Sequence, residues 1–163
     1  MIEKTLVLVK PDGVKRGLIG EIISRFEKRG LKIIGIKMIR IDPDFSKKHY
    51  SENVRKYFYE KLEKYIISGP VVAIVIEGIN AVEVVRKITG STEPKTAETG
   101  TIRGDYSHIS LEYSDFKKLG ARNLVHASGN KKEAEQEIKL WFNKKELYEY
   151  KTLYELHVES DEI

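Results

Sequence analysis

Hydrophobic periodicity along this 163-residue chain predicts an α+β domain: a ferredoxin-like β-α-β-β-α-β core, its four-stranded sheet mainly antiparallel, with additional helices. Two observations carry that expectation. Segments alternate in the order strand, helix, strand, helix, strand, helix, irregular loop, strand, helix. Within that order, Val71 to Ile76 is an unbroken and largely β-branched run, too short for a buried helix and suited to a central strand. The match requires one layer of helices on the sheet, with the shorter helices as decorations; a doubly wound parallel sheet is the competing topology.

Each element has its own signal. Thr5 to Val9 reads as the first strand and runs into the turn residues Pro11-Asp12-Gly13. Ile19, Ile22, Ile23 and Phe26 fall on one face of a helix that ends at Gly30. Leu31 to Ile41 reads as a strand closed by Asp42-Pro43-Asp44, and a short helix is expected around Ser46 to Ser51. Tyr57, Phe58, Leu62, Tyr65 and Ile66 show helical spacing before Ser68-Gly69-Pro70. After the central strand, Asn80 with Glu83 resembles a capping box for a helix reaching Gly90. Residues 90 to 105 lose periodicity; a loop of that length in a compact domain is either functional or disordered, and the embedded Arg103 favours function. Leu124-Val125 marks the last strand. Asn130 with Glu133 repeats the capping pattern ahead of a helix whose apolar face holds Ala134, Ile138, Trp141 and Phe142.

Composition bounds the function. With 40% apolar and 33% charged residues and a net charge of +4, residues 1 to 163 suffice for one globular domain, its end from about 155 to 163 expected to fray. No apolar run approaches the roughly 20 residues of a spanning helix, and MIEKTLVLVKPDG lacks the zones of a signal peptide, so a cytoplasmic location and no membrane partner are expected. There is no cysteine, and His49, His108, His126 and His157 are scattered without metal-binding spacing. A metal is therefore expected to arrive with the substrate rather than in a protein-built site. Basic minus acidic counts are 12 minus 6 for residues 1 to 50, 7 minus 7 for 51 to 100, and 10 minus 12 beyond, an N-terminal excess that suits phosphate-bearing ligands or a solvated face.

His126, in Asn123-Leu124-Val125-His126-Ala127-Ser128-Gly129-Asn130, emerges at a strand-to-helix turn. A neutral imidazole attacks phosphorus well, and the helix N-terminus beside it offers N–H groups to an anion. A carboxylate at Glu137 in the following helix is placed to accept the second imidazole N–H, though Glu133 and Glu135 are equally compatible with the pattern. No glycine-rich phosphate loop is present, so side chains must hold phosphates. Lys10, Arg86 and Arg103 are candidates as cations, Thr92, Tyr50 and Asn123 as neutral donors, and Phe58 as a platform for stacking on a base, each also compatible with an ordinary surface or core role.

The segments LVLVKPDGVKRGLIGEII, SGPVVAIVIEG, GTIRGDY and NLVHASGN resemble the nucleoside diphosphate kinase family, in that family's order and over about residues 3 to 150. The resemblance implies a ferredoxin-like fold and a ping-pong transfer of the γ-phosphoryl group from a nucleoside triphosphate, mainly ATP, to a nucleoside diphosphate. His126 would be the phosphorylated intermediate, Glu137 the carboxylate orienting it, and Ser128 the hydroxyl beside it. Lys10, Tyr50, Arg86, Thr92, Arg103 and Asn123 would contact phosphates and ribose, and Phe58 would stack on the base. Mg²⁺ held mainly by nucleotide phosphates and a homo-oligomer, a hexamer in preference to a tetramer, are implied as well. The chain departs from the family in two places. Gly129 stands where many relatives have Asp, and the stretch from Tyr106 to Asn123 is longer by about ten residues, as in archaeal relatives, bringing Tyr113 and Phe116 towards the nucleotide loop. The competing functional class is a nucleic-acid-binding module, since ferredoxin-like sheets also bind RNA, but the aromatic sheet signature of such modules is missing and no obligatory nucleic-acid partner is expected.

Overall fold

The computed structural model describes residues 1–159. Strand β1 (Ile2–Val9) leads into a short helix α1 (Pro11–Lys15), then α2 (Ile19–Glu27) and β2 (Lys32–Ile39). Helices α3 (Pro43–His49) and α4 (Tyr59–Ile66) precede β3 (Val71–Ile79) and α5 (Ala81–Thr89). A single turn at Pro94–Thr96 is followed by α6 (Ile102–Tyr106), α7 (Leu111–Phe116), β4 (Val125–Ala127) and α8 (Lys131–Trp141). All strand pairs are antiparallel and the order is β2-β3-β1-β4, which removes the doubly wound alternative and agrees with the ferredoxin-like expectation.

The sheet is covered on both faces, not one. Val7, Val9, Val72, Ile74 and Ile76 pack with Ile22 and Phe26 of α2 and Val85 of α5. Leu6, Leu8, Val71, Ala73 and Val75 pack with Leu62 and Ile66 of α4 and Ile138 and Trp141 of α8. The unbroken apolar run in β3 has this cause: consecutive residues of a strand face opposite sides, and both sides are dry.

Other expectations change in detail. Pro11-Asp12-Gly13 opens α1 instead of forming a turn, with proline in the first helical turn where its missing N–H costs nothing. Asn80 does not cap α5: its backbone is left-handed at φ 51°, and the Val82 N–H is taken at 3.2 Å by Glu3, itself 2.7 Å from Lys131. Asn130 does cap α8, accepting the Glu133 N–H at 2.9 Å. Tyr57 and Phe58 precede α4 instead of lying on its buried face, and Tyr57 is exposed. Residues 155–159 form a helical turn in which Glu155 pairs with Lys32 at 2.7 Å; the rest of the expected frayed end lies outside the described residues.

Candidate active site

The site forms where β4 and the N-terminal end of α8 meet the C-terminal end of β1. His126 pairs with Leu8 in the sheet register, which points the imidazole away from the opposite core and towards α8. Its Nε2 lies 2.7 Å from Glu137 Oε1, and the Ser128 hydroxyl donates to Glu137 Oε2 at 2.6 Å. The Leu6 N–H donates to Ser128 Oγ at 3.2 Å, so the chain from backbone to imidazole is continuous. Because the carboxylate accepts at Nε2, the imidazole carries its proton there and keeps the Nδ1 lone pair. Burial, then the charges of Lys10, Arg103 and Arg86, push His126 down to about 3 against an opposing effect of Glu133, so it is neutral at pH 7. Burial raises the Glu137 carboxyl, while His49 and the Ser128 hydrogen bond act the other way.

The approach to this group is built from KPDG and NLVH together. Leu124 is fully buried in the left-handed region at φ 71°, a conformation that persists only where neighbours enforce it. Two hydrogen bonds do so: the Lys10 N–H donates to the Leu124 carbonyl at 2.8 Å, and the Leu124 N–H donates to Asp12 Oδ2 at 3.2 Å. Tyr65 donates to the other Asp12 oxygen. Gly13 permits the approach, since a Cβ there would lie 2.8 Å from Val9 Cγ1 and 3.2 Å from the Leu124 carbonyl oxygen.

Beside His126 lies a cavity of about 260 Å³ lined by Lys10, Tyr50, Arg86, Thr92, Arg103 and Asn123, the expected polar set, with Glu133 as its one carboxylate. Lys10 Nζ donates to Asn123 Oδ1 at 2.7 Å, and burial followed by the charge of Arg103 lowers it to about 7, Asp12 opposing. Arg103 is committed to backbone: it donates to the carbonyls of Asn123, Gly90 and Val125 at 3.1, 2.8 and 2.7 Å. Three of its five N–H groups are thereby used, tying the loop after α5 to β4. Arg86 is exposed, and its guanidinium has no ion pair or hydrogen bond among the described residues. The Tyr50 hydroxyl is buried and has no hydrogen-bond partner among the described residues, a donor left for a ligand.

A second cavity, about 270 Å³, meets the first at Leu62, Thr92 and Ala121. It is apolar and holds Phe58, with Leu111, Ser114 and Leu119 from the longer segment forming its other wall. Tyr113 and Phe116, expected near the nucleotide loop, instead face outward at 51% and 77% exposure. Helix periodicity explains the exchange: within α7, Leu111 and Ser114 share the inward face.

The sequence gives His49 no role beyond that of one among four scattered histidines. Its ring packs edge-on against His126 at 4.7 Å, and its Nδ1 accepts the Trp141 Nε1–H at 3.1 Å and lies 3.6 Å from Glu137. Scatter along the chain thus does not survive folding: His49, His126 and Glu137 bring ligand-type atoms within 4.8 Å, although these atoms already engage Trp141, Ser128 and one another. A histidine next to Tyr50 was the sole trace of this in the residues. Arg25 was missed as well; it holds α6, which carries Arg103, by donating to Asp105 at 2.6 Å, Tyr106 at 2.8 Å and, just before the helix, the Gly100 carbonyl at 3.0 Å.

Comparison with known proteins assigns the chain to a family. A nucleoside diphosphate kinase family model matches residues 3–147. A nucleoside diphosphate kinase of Pyrococcus furiosus is 56% identical over 149 residues, 91% of this chain and 88% of the relative, and that of Sulfurisphaera tokodaii is 52% identical over 146 residues, 90% and 92% of the two chains. Among solved structures, a transition-state mimic of the Borrelia burgdorferi enzyme with bound vanadate and ADP superposes with a TM-score of 0.91 at 46% identity, covering 94% of this chain and 95% of that one. The Halobacterium salinarum enzyme in complex with CDP gives 0.86 at 42% identity, covering 96% and 97%. By its sequence, its sheet order and these relatives, the chain belongs to the nucleoside diphosphate kinase family, phosphotransferases that act on nucleoside diphosphates and triphosphates.

Proposed function

We propose that this family activity runs by ping-pong transfer through a phosphohistidine at His126 Nδ1. The observation that supports it most is the hydrogen-bonded line from the Leu6 N–H through Ser128 and Glu137 to His126 Nε2, which fixes the tautomer and leaves Nδ1 as the nucleophile. The joined cavities match a nucleotide: base against Phe58 in the apolar one, phosphates among Lys10, Tyr50, Arg86, Thr92, Arg103 and Asn123 in the charged one.

The Nδ1 lone pair attacks the γ-phosphorus in line, the bond to the β-γ bridging oxygen breaks, and the diphosphate leaves; a second nucleoside diphosphate reverses the step. Arg86 and the free N–H groups of Arg103 stabilise charge on the transferring oxygens, and Glu137 stabilises the charge that develops on the imidazole. No set of carboxylates converges in the charged cavity, so its residues fit a Mg²⁺ ion held chiefly by nucleotide phosphates. When bound, Mg²⁺ supplies neutralisation of the phosphate charge.

We further infer a homo-oligomer, a hexamer in preference to a tetramer, and a cytoplasmic location. Among the described residues no helix is long and apolar enough to cross a membrane. The nucleic-acid-module reading loses its platform, because both faces of the sheet are covered by helices.

The test is to incubate the protein with γ-labelled ATP and Mg²⁺ without acceptor, then add GDP. Acid-labile, base-stable label that leaves as GTP appears, and never forms on His126→Ala, is the expected result. A folded, ADP-binding protein that takes no label would overturn the mechanism.

A further inference from the structure

The cavity proposed to receive phosphates contains one charge of the wrong sign. Lys10, Arg86 and Arg103 line it, and so does Glu133, in the first turn of α8. The Glu133 backbone N–H is held by Asn130 Oδ1 at 2.9 Å, but among the described residues its carboxylate has no ion pair or hydrogen bond. Gly129 makes room for it: a Cβ at that position would lie 2.6 Å from Glu133 Oε2. The carboxylate thus fills the space that a side chain at residue 129 would take. It also acts on the nucleophile, opposing the three cations at His126.

An unpaired carboxylate beside a polyphosphate repels it unless a cation lies between them. None of the three cations forms an ion pair with it: Lys10 is bonded to Asn123, Arg103 to three carbonyls, and the Arg86 guanidinium has no ion pair among the described residues. We propose that Glu133 is the protein's acidic contact for the divalent cation that accompanies the nucleotide, reached through the cation's water shell in the space left by Gly129. Mg²⁺ in phosphate-transfer sites keeps several waters and uses one or two carboxylates besides the substrate phosphates, so a single acid suffices. The consequence is selectivity: Glu133 disfavours metal-free nucleotide and favours the metal complex. This inference rests on the phosphoryl-transfer reading, since it needs a diphosphate or triphosphate in the cavity.

Calorimetric titration of ADP into wild type and Glu133→Gln, once with Mg²⁺ and once with a chelator, tests it without turnover. Loss of one unit charge acting at about 4 Å through water changes affinity by about fivefold. The expected result is a crossing: the variant binds metal-free ADP about fivefold more tightly than wild type and Mg-ADP about fivefold more weakly. In the double variant Gly129→Asp/Glu133→Ala the space is cleared and a carboxylate returns to it, and the wild-type preference for Mg-ADP is expected to return. Equal shifts for both forms, as mere tuning of His126 would give, or no shift in either, would overturn the proposal. Failure of wild type to bind ADP under both conditions would instead sink the nucleotide reading beneath it.

Discussion

The two cavities that meet at Leu62, Thr92 and Ala121 differ in how their walls are held. Around His126 the groups nearest the imidazole are held by fixed partners: Arg103 on three carbonyls, Lys10 on Asn123, Glu137 between Ser128 and the imidazole. Around Phe58 the wall comes from α7, a two-turn helix in the longer segment, tied to α4 by a half-exposed pair of Lys61 and Asp115 at 3.5 Å. One end is a preorganised electrostatic site, the other a loosely held apolar slot. Substitutions at the first should therefore strike the chemical step, and substitutions at the second only binding.

The largest effect is expected at the nucleophile. His126→Ala should lower turnover by about 10⁴-fold or more, with ADP affinity within about threefold of wild type, read by a coupled assay and by calorimetry. Turnover within about tenfold of wild type would remove the distinction between the two ends. Arg103→Ala comes next, because it deprives three backbone carbonyls of donors as well as removing a cation. A loss of about 1–3 kcal/mol in unfolding free energy should accompany a drop in both affinity and kcat. An unchanged denaturation midpoint would show that the carbonyl contacts are not structural.

Acidity gives a prediction of smaller size. With Lys10 held at about 7 by burial and by Arg103, its ammonium charge is lost as pH rises through 7, so kcat/KM should fall by up to about tenfold per unit above pH 7. Lys10→Arg keeps the charge and should flatten that limb. Stability must move oppositely. The folded-state pKa lies below the ordinary lysine value, so between about pH 7 and 10 the unfolded chain binds the extra proton and folding strengthens as pH rises. With His126 at about 3, no acid limb from its titration is expected between pH 5 and 7. A kcat/KM profile flat to pH 9 in the wild type would contradict the assignment of Lys10.

The same contrast governs what was legible in the residues. His126, Lys10, Arg103 and Asn123 sit in local segments whose order and spacing are distinctive, and the structure brings them together. Periodicity likewise exposed α2, α8 and the central position of β3, because each buries a face that hydrophobicity marks. What stayed hidden was long-range. The sequence separation of 92 between His49 and Trp141, and of 80 between Arg25 and Asp105, leaves no local pattern to detect. Coverage of both sheet faces was written in β3 as its lack of alternation, yet of the helices that supply the second cover, α3, α4 and α8, the first two are short and read as decoration. In α7 the aromatic residues drew the eye, while burial selected Leu111 and Ser114.

The smallest effects belong to the apolar slot. Phe58→Ala removes the stacking surface and should raise KM by about tenfold, stacking being worth about 1–3 kcal/mol per base, with kcat little changed because the base does not touch the transferring group. Leu111→Ala deletes less surface from the facing wall and should raise KM by no more than about threefold. The two residues face one slot, so their effects should not be independent: once Phe58 is gone the base has no platform to be pressed against, and the further loss at Leu111 should shrink. A double variant whose effect equals the product of the single ones would mean that α7 does not close over the base. A Leu111 effect on kcat larger than on KM would mean that the two ends are coupled through Thr92 and Ala121, where the cavities join, and that the rigid end depends on the loose one.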